Sequence, residues 1–411
     1  MRIRQLDGLR ALAVLLVFGA HVKDSVLMRG SHGDLDGSQA GWIGQGILLW
    51  NRAGWAGVDL FFVLSGFLVS GLLFAEYQRY GQIAPGRFLI RRGFKIYPAF
   101  YVLLLFTITA KAARREVGLS KILNEIFFLQ NYGAGLCLHT WSLAVEEHFY
   151  LLLVAFIYLM QKRAPRATNP FRAVPWAVLI SAILALALRI LTTLYVTPYA
   201  VATHHTPTHL RLDSLMFGVF IAYWYHWRQP VLAAFISRRA RHILLASGAL
   251  IFTCFSFEMS HPFISTIGYT LLYVGFGGIL LVSLYWKPVL PAVVRAPARL
   301  VGRAAAFIGR HSYSIYLWHL AVGVVGLGLI RRLSGRPIPP FIEVGIFVVG
   351  SVAVGVLMAK LVEQPVLKLR DRLYPARGMS PTASGEKTAA PIEAIRASGL
   401  RRSPGPVIEH G

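Results

Sequence analysis

Two cysteines in 411 residues, Cys137 and Cys254, make neither a CxxC pair nor a disulfide framework, so they carry no redox motif and say nothing about compartment. Charge is scarce as well, at 15% of residues, while 55% are hydrophobic and the mean hydropathy is +0.56. That balance excludes a soluble enzyme and describes an all-α polytopic membrane protein. Three further absences narrow the class. No small-residue cleavage pattern follows the first apolar run, so that run is expected to stay in place as a span. No internal repeat of the kind transporters carry is visible. No region outside the spans has the size of a soluble domain, so any catalysis is expected within the membrane domain.

What is present is a succession of apolar windows of about 20 residues, long enough to cross a bilayer. They predict ten transmembrane helices near 9–28, 55–77, 96–113, 143–161, 174–196, 211–227, 242–257, 266–286, 307–330 and 342–362. The apolar stretch 122–131 is too short to span and is expected as an interfacial or re-entrant helix. Residues 1–374 read as the membrane domain. Residues 375–411, rich in Pro, Ser, Gly and Ala with scattered charge, read as a disordered basic tail.

A formal net charge of +24 raises the question of nucleic acid. The Lys and Arg residues instead gather in alternate loops, as the positive-inside rule requires, with both termini cytoplasmic; nucleic-acid binding is not expected.

Polar residues then mark two levels. Arg10 and His21 lie on one face of the first span, about 16 Å apart along the axis. Charge at such depth is costly to bury and marks a functional site. The first span runs outward, which puts His21 in the outer half. Asp59, Glu146, Glu147 and the Arg211, Asp213 pair reach similar depth from other spans. A histidine beside a carboxylate is what a general base requires. At the inner level Arg91, Arg92 and Lys95 share i,i+3 and i,i+4 spacing and offer one patch to a phosphate-bearing donor such as coenzyme A.

Each residue also admits a plainer reading. Glu146 and Glu147 can sit among headgroups at a helix N-terminus, and Asp59 can cap its helix. Arg211 and Asp213 can be an interfacial ion pair, Arg189 can snorkel to the outer interface, and the cationic patch can be ordinary positive-inside charge. His148 does not share the face of the two glutamates before it. His204, His205 and His209 cluster in a loop, but no carboxylate or cysteine joins them at ligand spacing, and no metal is expected.

The ordered motifs resemble the acyltransferase-3 family of bacterial membrane O-acyltransferases nearly end to end. Leu6-Asp7-Gly8-Leu9-Arg10 with His21 is similar to the family's Arg-x10-His motif. Gly57-Val58-Asp59-Leu60-Phe61-Phe62-Val63-Leu64-Ser65-Gly66-Phe67 is similar to its second-span motif. Trp141-Ser142-Leu143-Ala144-Val145-Glu146-Glu147-His148-Phe149-Tyr150 resembles its fourth-span motif, with His148 where Gln is usual. Arg211-Leu212-Asp213, the run from Ser312 to His319 and Glu363-Gln364-Pro365 complete the series. Lys95 stands where the family's Arg-x-x-Arg pattern has arginine, which keeps the charge and loses the bidentate fork.

The resemblance implies an enzyme in a bacterial inner membrane, multi-pass in the lipid bilayer. It would move an acyl group, most simply acetyl from acetyl-CoA, to a hydroxyl of a cell-surface or lipid-linked carbohydrate such as a lipopolysaccharide or another polysaccharide. His21 carries over as the catalytic base, oriented by Glu146 or Glu147. Arg91, Arg92, Lys95 and Arg10 are expected to hold acyl-CoA. Asp59, Ser65, Trp141, Arg211, Asp213, Tyr316 and His319 are expected around the acceptor, with Ser312, Tyr316 and His319 forming a polar stripe on one helix. Longer family members append a hydrolase-like domain; here acceptor delivery is expected to fall to the membrane domain or to a separate partner. Two alternatives stand beside this reading: acylation of a small hydroxylated metabolite such as a macrolide, and proton-coupled transport. The sequence does not indicate an oligomeric state.

Overall fold

A computed structural model describes residues 4–22, 41–112, 115–165, 167–286, 291–336, 338–375 and 377. The chain forms α1 (Arg4–Val22), α2 (Trp42–Gly54), α3 (Gly57–Tyr80), α4 (Pro85–Ala112), α5 (Leu119–Ile126), α6 (Trp141–Arg163), α7 (Val174–Tyr195), α8 (Val201–His204), α9 (Leu212–Trp227) and α10 (Gln229–Phe255). It continues through α11 (Tyr269–Tyr285), α12 (Ala292–Arg310), α13 (Ser312–Ala321), α14 (Leu327–Ser334), α15 (Pro340–Met358) and α16 (Gln364–Leu373). The described residues contain no strand. Local chemistry sets several boundaries. α4 and α15 begin on Pro85 and Pro340, where the missing N–H costs nothing. α3 stops at Gly81, whose φ of 68° is the left-handed conformation glycine adopts without strain.

Among the described residues, eight helical stretches are long and apolar enough to cross a membrane: Gln5–Val22, Gly57–Tyr80, Pro85–Ala112, Leu138–Arg163, Val174–Tyr195, Ile264–Tyr285, Ser312–Ser334 and Pro340–Leu373. The last three are continued through π-helical turns at Ile264–Gly268, Val322–Gly326 and Ala359–Glu363. The protein is thus an all-α polytopic membrane protein, with corrections to the ten expected spans. α9 has 16 residues, about 24 Å of helix, short of a hydrocarbon core of about 30 Å. α10 is 27 residues long but carries Arg238, Arg239 and Arg241 in its first half, which keeps its apolar window short. The window 307–330 merged two helices that part at His311, because Phe307 and Ile308 end the basic α12 and only Ser312 begins the span. Residues 23–28 of the first expected span, and the expected tail apart from 375 and 377, lie outside the described residues. The short segment near 122–131 is the eight-residue α5, after which the chain turns at Phe128 with φ 56°.

In lipid the hydrophobic effect does not drive helices together, so close packing and internal hydrogen bonds must. α3 and α9 meet on two glycines. A Cβ at Gly66 would collide with the carbonyl of Leu215, and one at Gly218 with that of Val63. α12 approaches α1 in the same way, with Gly309 against the carbonyl of Asp7. A single apolar cluster joins α1, α3, α4, α6, α9, α11, α13 and α15, and polar groups interrupt it at three places, two of them along α13 and a third, of buried ion pairs, around α9.

Candidate active site

The first place is a cavity of about 130 Å³ walled by α1, α3, α4, α6, the end of α12, α13 and the π turn before α16. Arg10 enters from α1, Ser65 from α3, Arg92 and Lys95 from α4, and Glu146, Glu147 and Tyr150 from α6. Arg310, Ser312, Tyr313, Tyr316 and Glu363 close the other side. Arg310, at the end of α12, is the exposed member of this lining.

The carboxylates of this cavity are held by hydroxyls. Glu146 accepts from Ser65 at 3.1 Å and from Tyr150, four residues along its own helix. Glu147 accepts from Tyr97 at 3.0 Å through one oxygen, and its other oxygen, Oε1, is buried with no hydrogen-bond partner. Ser314 donates to Glu363 at 2.7 Å. The cations are not matched to them one for one. Among the described residues Arg92 and Lys95 make no ion pair, Arg92 lying instead over the rings of Phe88 and Tyr150. Arg10 reaches Asp7 at 3.4 Å within α1.

One turn along α13 from the cavity lies a group of three histidines. The His21 ring centroid is 5.1 Å from that of His319, and His319 is 5.0 Å from His139, which precedes α6. The stripe of Ser312, Tyr316 and His319 therefore links the two places over about 10 Å, its first two members in the cavity wall and its last against His21. Tyr316 donates to the carbonyl of His139 at 2.6 Å and shares a 2.6 Å hydrogen bond with Ser142. The segment bearing His139 is anchored by Glu125, which accepts from the Leu136 and Cys137 amides at 2.9 and 2.8 Å and from the Thr140 hydroxyl at 2.9 Å. Burial pushes the Glu125 carboxyl up, and these three donors pull it back.

Arg10, Ser65, Arg92, Lys95, Glu146, Glu147 and Tyr316 thus share one cavity, which sets the two glutamates beside the cations of the expected inner level and not at a separate outer level with His21, and other expected placements change as well. Arg91 does not join Arg92 and Lys95: it turns to Asp371 at 3.0 Å and to the carbonyl of Tyr374, because α16 lies along that face of α4. Glu146 and Glu147 bond Ser65, Tyr150 and Tyr97 in place of His21. Asp59 does not cap α3; fully buried, it accepts from Arg211 at 2.8 Å and from Ser214. Asp213 pairs with Arg189 at 2.7 Å, so Arg189 does not snorkel and the expected interfacial pair of Arg211 with Asp213 is two buried pairs. Trp141 packs edge-on against Phe62 and His205. His205 bonds the Tyr269 hydroxyl at 2.7 Å, His204 bonds Thr203, and His209 meets Tyr132. Burial, with the Arg211 charge beside it, pushes the His205 imidazole well below its usual range. His148 bonds Thr208 at 2.7 Å.

The family described as acyltransferase domain matches residues 3–360. The chain belongs to that family. Every cavity-lining residue except Glu363 lies within the matched stretch. Peptidoglycan O-acetyltransferase OatA of Listeria monocytogenes is 26% identical over 348 residues, covering 78% of this chain and 49% of the relative. A putative O-acetyltransferase of Staphylococcus aureus is 27% identical over 347 residues, covering 77% and 50%. Putative peptidoglycan O-acetyltransferase YrhL of Bacillus subtilis is 26% identical over 394 residues, covering 88% and 54%. The chain spans about half the length of these curated relatives. No solved structure matches it.

Sequence reasoning passed over Tyr97, His139, Tyr150, Arg310 and Tyr313. Tyr150 carried a signal, since it stands four residues after Glu146 on the same helix face. His139 carried none, because the turn before α6 falls outside every apolar window, and Arg310 was hidden in the window 307–330, which merged the end of α12 with the span that follows.

Proposed function

We propose that the protein is a membrane O-acyltransferase that moves an acyl group, acetyl foremost, from cytosolic acyl-CoA to a hydroxyl of a cell-surface or lipid-linked carbohydrate. The observation that carries this reading is the single polar stripe on α13, with a cation-lined cavity at one end and His21 at the other. Arg92, Lys95 and Arg310 suit the phosphates of the donor, since cations without carboxylate partners keep their charge for a ligand. The thioester arm follows the stripe toward His21. His21 takes the proton of the acceptor hydroxyl as the oxygen attacks the thioester carbonyl. When the C–S bond breaks, His21 returns that proton to the departing thiolate, leaving an ester and free CoA. Glu147 offers its partnerless oxygen to an N–H or O–H of a substrate.

The carbohydrate acceptor rests on the names of the relatives, two of which act, or are named as acting, on peptidoglycan. Host cells lacking the gene, carrying wild type, His21→Ala at matched membrane abundance or empty vector, test the reading by mass spectrometry of cell-wall, surface-glycan and small-metabolite fractions. An acetyl increment on a glycan with wild type alone is expected. An increment confined to a small metabolite would move the acceptor class, and its equal presence with His21→Ala would overturn the base.

A further inference from the structure

The two buried histidines beside His21 are held in tautomers that the backbone dictates. His319 Nδ1 lies 2.6 Å from the carbonyl oxygen of Tyr316, which can only accept, so Nδ1 carries the hydrogen and Nε2 of the neutral ring carries a lone pair. His139 is fixed in the opposite sense: Nε2 donates to the carbonyl of Leu317 at 3.0 Å, and the lone pair is on Nδ1. Both lone-pair nitrogens, His319 Nε2 and His139 Nδ1, are buried with no hydrogen-bond partner. Both residues are almost wholly buried, and Phe18 and Phe347 wall the His319 ring. Buried acceptors are costly to leave without a donor, and acceptors left so are ready for one that arrives during function.

The donor at hand is His21. It is the third ring of the group, its centroid 5.1 Å from that of His319. A base needs a partner for its second nitrogen, which fixes its tautomer and takes up the charge it gains. We infer that His319 is the positioning residue of His21, its Nε2 accepting the His21 ring N–H, with His139 Nδ1 as the neighbouring second acceptor. The inference rests on His21 as the base. As the acceptor O–H bond breaks and an N–H forms on His21, the hydrogen on the opposite ring nitrogen is held by His319; no proton leaves the pair, and the one gained goes to the departing thiolate. A neutral imidazole does this work without placing a carboxylate in the outer half of the bilayer.

The test uses the full chain reconstituted in lipid vesicles with acetyl-CoA and the acceptor identified by mass spectrometry, comparing His319→Gln, His319→Phe, His139→Asn, His139→Phe and His21→Ala. Gln places a carbonyl oxygen near Nε2, and Asn one near Nδ1, whereas Phe keeps only the ring volume. His319→Phe is expected to lower kcat by about 100-fold with KM for acetyl-CoA unchanged, and His319→Gln to restore it to within about tenfold of wild type. At His139 the same ordering is expected with a smaller span. Equal loss in Gln and Phe variants at 319 would make His319 a packing residue and overturn the proposal, as would wild-type kcat in His319→Phe. If the His319 variants do not reach the membrane, the Asn and Phe pair at 139 carries the same comparison. Activity in His21→Ala would instead remove the base itself, a failure separable from that of the positioning role.

Discussion

Around α9 two arginines and two aspartates are fully buried as matched pairs, Arg211 with Asp59 and Arg189 with Asp213. Around α4 and α6, by contrast, Arg92 and Lys95 face a cavity without ion pairs among the described residues, and the carboxylates beside them bond hydroxyls, with one oxygen of Glu147 left over. The two regions carry similar residue types, yet they use charge differently. Where each cation meets its own carboxylate in a closed setting, the cluster joins helices. Where cations and carboxylates line a space and are kept apart, the arrangement is complementary to a ligand that is not part of the chain. An ionisable residue inside a span is therefore a sign of function only when its partner is missing.

The largest effect expected from breaking this contrast is at Arg211. Removing one member of a buried pair strands the other, so Arg211→Ala is expected to destabilise the fold by about 3–5 kcal/mol, read as lost membrane abundance and lower Tm in detergent. Replacing Asp59 and Arg211 together by apolar residues of similar volume should recover most of that loss. At the cavity the order reverses: Arg92→Ala or Lys95→Ala should leave Tm near wild type and raise KM for acetyl-CoA about 10- to 100-fold, the scale of one or two charge-assisted hydrogen bonds, while Lys95→Arg keeps KM within a few-fold. A smaller effect separates the regions by pH. Burial holds His205 neutral in the fold, whereas in the unfolded chain it titrates near 6.5. The unfolded state then binds more protons below that value, so stability present above pH 6.5 is lost as pH falls further. His205→Gln, which can still meet the Tyr269 hydroxyl, should flatten the fall of Tm between pH 7 and 5. The smallest effect belongs to Arg91→Ala, expected to change KM by less than about threefold, because Arg91 is tied to α16.

Much of the fold was legible because membrane spans advertise themselves by length and apolarity. Eight of the ten windows meet that test, while α9 is too short for it and α10 too basic. α2 and α12 escaped, since helices that lie against a bundle need only one apolar face. At the site, the helical spacing of Ser312, Tyr316 and His319 placed a stripe that the structure does run from the cavity to His21. Spacing did not reveal which of two adjacent arginines faces the cavity, because Arg91 and Arg92 differ by about 100° of rotation and the choice belongs to α16, which lies about 280 residues later in the chain. Nor did it reveal pairing: depth put Asp59, Arg211 and Asp213 at one level with Glu146, and depth alone cannot tell a closed ion pair from a lined cavity.

The most direct measurement is calorimetric titration of the purified protein in lipid nanodiscs with CoA, at low and raised salt, for wild type and for Lys95→Ala, Arg92→Ala and Arg91→Ala. One site is expected in wild type, weakened by salt, at least tenfold weaker in the first two variants and unchanged in the third. Equal affinity in all four proteins, or a loss confined to Arg91→Ala, would contradict the assignment of the cavity to the acyl donor.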